Sequence, residues 1–95
     1  MNKLYFVKLN EFGIWEDKIY EYDIEKETQK MIYAKENSFK MRIPTGFLVE
    51  RQSLYLGKWY IFRKDKEKLK EALKRRLEII KESYKKAING VEKLG

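Results

Sequence analysis

Lys70, Lys74, Lys81 and Lys85 fall on one narrow face of a helix if residues 66–89 are helical. At about 100° per residue they occupy a sector of about 60°. A cation track of this kind suits phosphates or an acidic protein surface. Lys40 and Arg42, which alternate with apolar neighbours in a strand-like stretch, would add to it. Trp15 lies in a turn just after Gly13 and is the aromatic best placed for an exposed contact. Loops carry function, and Trp is a favoured anchor. The run Lys58-Trp59-Tyr60-Ile61-Phe62-Arg63-Lys64 interleaves aromatics with cations, and sheet aromatics can stack bases. It lacks the glycine and the aromatic spacing of the RNA-recognition signature, so a core strand is its expected role.

Other chemistry is excluded by what the chain lacks. It contains no His and no Cys. The commonest general base, the commonest transition-metal ligand and the thiolate zinc sites are therefore all missing. Glu21, Asp23 and Glu25 share one strand face, but no Asp-rich loop accompanies them, so no metal site is expected. No cofactor motif appears either. The expected protein is not an enzyme.

The 22 Lys and Arg against 15 Asp and Glu leave a net charge of +7. That balance suits an anionic partner, nucleic acid or acidic protein. It also fits plain lysine enrichment, because Lys far outnumbers Arg, the residue favoured for bidentate phosphate recognition. The charge is uneven along the chain. Residues 11–27 carry seven carboxylates against Lys18 and Lys26, whereas residues 28–64 carry eight cations against Glu36 and Glu50. An acidic strand can mimic phosphate or pair with the basic strands of a second copy, but a polar outer sheet face explains it more simply.

Residues 3–9 are a dense run of strand formers, Leu4-Tyr5-Phe6-Val7 at their centre. Asn10-Glu11-Phe12-Gly13 reads as a turn. Residues 18–24 alternate, with Tyr20, Tyr22 and Ile24 on one face. Glu25-Lys26-Glu27-Thr28 reads as a hairpin loop, residues 29–35 as the returning strand, and residues 38–43 as another alternating strand stopped by Pro44-Thr45-Gly46. Residues 47–56 fit either a strand or a helical turn. Gly57-Lys58 signals a tight turn, and Trp59-Tyr60-Ile61-Phe62 the last strand, a central one. The expectation is one α+β domain over residues 1–95. It comprises an antiparallel meander of four to five strands, or a partly open barrel, over residues 1–64 and one long C-terminal amphipathic helix over residues 65–89. Laying the helix stripe on the apolar face of the sheet closes the core.

The helix carries the strongest periodicity. Leu69, Leu73, Leu77, Ile80, Tyr84, Ala87, Val91 and Leu94 step by three and four. Asp65 is the expected N-cap, without a capping box. Gly90 is the expected stop, leaving residues 90–95 as a frayed tail. Glu71–Arg75 and Glu82–Lys86 stand at the favourable i,i+4 spacing. Such a helix, about 36 Å long, outreaches strands of about 17–20 Å. Leu77, Ile80, Tyr84, Ala87 and Val91 therefore lack cover from a small sheet. They form a heptad seam that a homodimer would bury.

The opening residues Lys3-Leu4-Tyr5-Phe6-Val7, the arm Ile19-Tyr20-Glu21-Tyr22-Asp23-Ile24, and Tyr60-Ile61-Phe62 running into a Lys/Glu helix resemble the layout of small uncharacterised phage and mobile-element proteins of low-GC Gram-positive hosts. The resemblance implies a stoichiometric binder that inhibits a host or defence protein, and it assigns no site residue. The opening apolar run is shorter than the roughly seven residues of a signal core, and no stretch approaches a membrane span of about 20 residues. The expected location is the cytoplasm. Two functions follow as expectations: a non-catalytic protein-binding module, or a basic nucleic-acid-binding accessory protein.

Overall fold

Two stretches are apolar on both faces, Leu4-Tyr5-Phe6-Val7 and Tyr60-Ile61-Phe62, and a strand of that kind must be covered from both sides. In the computed structural model, which describes residues 2–10 and 18–94, these two strands lie side by side. The elements are β1 (Lys3–Leu9), β2 (Tyr20–Glu27), β3 (Met31–Glu36), β4 (Phe39–Pro44), a 3₁₀ segment (Thr45–Val49), β5 (Ser53–Tyr55), β6 (Lys58–Arg63) and α1 (Lys66–Glu92). All strand pairs are antiparallel, in the order β4-β3-β2-β1-β6-β5.

The α+β class is as expected, but the sheet has six strands rather than four to five. The ambiguous stretch 47–56 splits into both of its readings, since the 3₁₀ segment takes up its first residues and the short β5 its last. Leu56 (φ 49°) and Gly57 (φ 80°) are the central residues of the β5–β6 turn, with both φ positive as a type I′ hairpin requires. The expected loop at residues 25–28 is mostly strand. β2 runs on through Glu27, aided by a bulge between Ile24 and Lys26, and the loop is Thr28–Lys30. Thr28 Oγ1 organises it by accepting from the amides of Lys30 (3.3 Å) and Met31 (3.0 Å).

The larger core differs from the expectation in kind. The helix does not roof it. Leu4, Phe6, Ile32, Ala34, Met41, Ile43, Tyr60 and Phe62 form one buried cluster, with Tyr20, Tyr22, Phe47 and Tyr55 packed around it. Phe6 stacks on Tyr20 at 5.0 Å and meets Tyr22 edge-on, also at 5.0 Å. The sheet curls into a half-barrel around this cluster. Phe47, from the 3₁₀ segment, closes one mouth against Phe62. Curling brings the two edge strands near each other, so the Arg42 amide of β4 lies 3.5 Å from the Tyr55 hydroxyl of β5. Bulky aromatics on the inner face and a bulge in β2 are the physical causes of such curvature.

The helix packs on the opposite face, with its buried residues at its root. Leu69 and Leu73 are its only fully buried residues, and they meet Val7, Leu9 and Ile61 with Tyr5, Ile19 and Ala72 alongside. Asp65 caps the helix as expected, accepting from the amides of Glu67 (2.8 Å) and Lys68 (3.4 Å). Gly90 does not end it; the helix runs through to Glu92. A mid-helix Gly costs about 1 kcal/mol relative to Ala, which lowers stability without forcing a stop. The 27 residues of α1 span about 40 Å. The molecule measures 58 × 24 × 23 Å, and the outer helix accounts for the elongation.

Candidate binding site

The acidic strand turns out to be neutralised from within. Lys3 of β1 reaches Glu21 (3.1 Å) and Asp23 (3.2 Å) on β2, and their hydrogen bonds, Glu21 foremost, raise its pKa above the ordinary lysine value. Lys35 of β3 faces Glu25 at 3.9 Å, and Lys64 meets Glu27 at 2.6 Å. Every carboxylate of β2 thus has a lysine from a neighbouring segment. These pairs are half exposed, so each contributes little to stability. Their consequence is electrostatic: the strand presents little free negative charge to a partner.

The helix lysines are placed differently. Lys70, Lys74, Lys81 and Lys85 are all exposed along one side of α1. Lys70 pairs with Glu67 (3.4 Å) and Lys85 loosely with Glu82 (3.9 Å), both at i,i+3. The expected Glu71–Arg75 and Glu82–Lys86 pairs do not form. Side chains this exposed gain too little from an ion pair to hold one geometry. Lys74 and Lys81 have no ion pair among the described residues. Lys40 and Arg42 point outward from β4, whereas the helix rests on β6 and β1, three strands along the sheet. The six cations therefore stand on two separate elements. Trp15 lies outside the described residues.

The apolar seam is exposed where the helix leaves the sheet. Leu77, Ile79, Tyr84, Ile88, Val91 and Leu94 are all open, while Ile80 is half-buried. From Leu77 to Glu92 the helix runs on for about 24 Å. No helix among the described residues is long and apolar enough to cross a membrane.

One feature joins residues far apart in the sequence. Four of the five arginines in the chain, Arg51, Arg63, Arg75 and Arg76, line one cleft of about 420 Å³. It lies between the end of the 3₁₀ segment, the last residue of β6 and the middle of α1. Val49, Ala72, Ile79 and Ile80 supply the rest of the lining. Arg63 is held in place by backbone carbonyls, donating to Phe62 O (2.6 Å) and Glu50 O (3.0 Å). The Glu50 carboxylate is turned elsewhere and accepts from Ser53 Oγ at 2.9 Å. Burial lowers the pKa values of Arg63 and Arg76. These four residues are scattered in sequence. The available signal was parity: Arg63 shares the strand face of Ile61, which packs on the helix, so it had to meet the flank carrying Arg75 and Arg76.

No family model, curated protein or solved structure matches the chain.

Proposed function

We propose that the chain is a non-catalytic protein-binding module that docks the outer half of α1 onto an apolar partner surface rimmed by carboxylates. It works by occupying that surface, as an inhibitor of a host or defence protein would. The observation that carries this reading is the uncovered stripe Leu77, Tyr84, Ile88 and Val91, flanked by Lys74 and Lys81, which have no ion pair among the described residues.

Charge decides against a second copy as the occupant. With Leu77, Tyr84 and Val91 in one seam position and Ile80, Ala87 and Leu94 in the other, the flanking positions hold Lys74 and Lys81 on one side and Arg76 and Ser83 on the other. A parallel pair sets Arg76 against Lys81. An antiparallel pair sets the Lys74–Lys81 flank against its own counterpart. Neither arrangement offers an attractive flanking pair, whereas a partner with Glu or Asp at those places does.

The test is a titration with two synthetic amphipathic helical peptides that share one apolar seam, one flanked by Glu and the other by Lys. Only the Glu peptide is expected to bind, more weakly as salt rises, and not at all to the Leu77→Glu/Tyr84→Glu variant. Equal binding of both peptides, or a stable homodimer in light scattering, overturns the reading.

The second reading, a nucleic-acid-binding accessory protein, draws on the same exposed lysines Lys70, Lys74, Lys81 and Lys85. It ranks lower because two of them share their charge with Glu67 and Glu82, and because Lys40 and Arg42 stand on a different element. Its signature is oligonucleotide affinity that falls steeply with salt and is lost on Lys74→Glu/Lys81→Glu.

A further inference from the structure

The turn between β5 and β6 is built against local preference. Both of its central residues have positive φ, a conformation that Asn, Asp and Gly adopt readily and a bulky apolar side chain does not. Gly57 (φ 80°) suits it; Leu56 (φ 49°) does not. The chain meets the same demand in the ordinary way between β3 and β4, where Asn37 takes the left-handed conformation (φ 54°). Leu56 is also 85% exposed. A leucine at this point strains the backbone and gains no burial in return, and strain of that kind is kept where it serves a contact outside the fold.

Leu56 does not stand alone. Leu54 of β5 faces Trp59 of β6 across the ladder, and both are exposed, by 54% and 41%. The tip itself is open, since a Cβ added at Gly57 would meet no atom within 4 Å. Three large apolar side chains thus cluster at the end of one hairpin on the edge of the sheet. Lys58 follows the turn directly, and residues 51–64 hold four cations and no carboxylate. Leucines at the tip, a tryptophan behind them and a lysine beside them match the layers of a bilayer surface, from acyl boundary to anionic headgroup. A turn tip enters such a fluid surface without needing a cavity shaped to receive it. We propose that the β5–β6 hairpin inserts Leu54, Leu56 and Trp59 into the surface of an anionic lipid bilayer, with Lys58 at the headgroups. The contact is a surface one and distinct from the docking stripe, which lies on α1.

The experiment is flotation of the full chain with two kinds of vesicle, phosphatidylcholine alone and phosphatidylcholine with about 30% phosphatidylserine. Binding is expected on the anionic vesicles and roughly tenfold weaker on the neutral ones. Leu56→Asn is expected to weaken binding to the anionic vesicles by roughly tenfold, the scale for withdrawing one leucine from an apolar phase. Its melting temperature is expected to rise by a few degrees, because Asn suits the left-handed position that Leu56 occupies. A residue kept for the fold would give the opposite shift. Leu77→Glu/Tyr84→Glu is expected to leave vesicle binding as it was, so that failure of the hairpin and failure of the helix stripe are told apart. Absence of binding to the anionic vesicles overturns the proposal. So does equal binding to both kinds of vesicle, full binding by Leu56→Asn, a lower melting temperature for that variant, or loss of vesicle binding in the helix variant.

Discussion

The half-barrel and the outer helix use the same kinds of residue to opposite ends. In the half-barrel, aromatics face one another around Phe6 and Phe62, and each β2 carboxylate has its lysine. In the outer helix, Leu77, Tyr84, Ile88 and Val91 face solvent, and Lys74 and Lys81 have no ion pair among the described residues. The first region satisfies itself and supplies the stability. The second is anchored, among the described residues, through the root residues Leu69 and Leu73 and leaves its apolar surface open to solvent. A short strand can be surrounded by its neighbours; a helix of about 40 Å laid on a narrow sheet cannot.

The contrast breaks first, if it breaks, on core substitutions. Phe62→Ala is expected to cost about 3–5 kcal/mol in urea unfolding, as large aromatic truncations in packed cores do. Tyr84→Ser should stay within about 0.5 kcal/mol. A larger loss at Tyr84 would mean that the outer helix is already covered. The border between the regions is sharpened by a second series. Leu69→Ala should cost about 2–5 kcal/mol, with Leu73→Ala toward the lower end because it is slightly more accessible. One turn on, Leu77→Ala should cost less than about 1 kcal/mol.

The junction comes next. Asp65→Ala removes the acceptor for two amides and is expected to cost about 1 kcal/mol, read as a lower melting temperature. The smallest effect concerns Lys3. Its raised pKa means that its contribution is complete below the ordinary lysine value of 10.5 and is lost as pH rises through the higher folded-state value. The difference in stability between the wild type and Lys3→Gln should therefore be constant at neutral pH and close only in strong alkali.

Much of the fold is legible in the residues, for local reasons. The alternation of Tyr20, Tyr22 and Ile24 marks a strand with one buried face, and the three-and-four stepping of Leu69, Leu73 and Ile80 marks a helix. Asp65 reads as a cap because the side chain that performs the capping is next to the amides it serves. The stop at Gly90 does not hold, because glycine permits an end without compelling one. The strand at Ser53–Tyr55 is too short for any periodicity to declare it.

By itself the sequence determined the element types, the helix cap and the excess of helix over sheet, since each depends on residues a few positions apart. Only the tertiary structure decided that the main core lies inside the curl rather than beneath the helix, and that Arg51, Arg63, Arg75 and Arg76 meet in one cleft. Both depend on how far the sheet bends and where the helix crosses it. Those quantities are set by the packing of many side chains at once, and no short stretch of the chain encodes them.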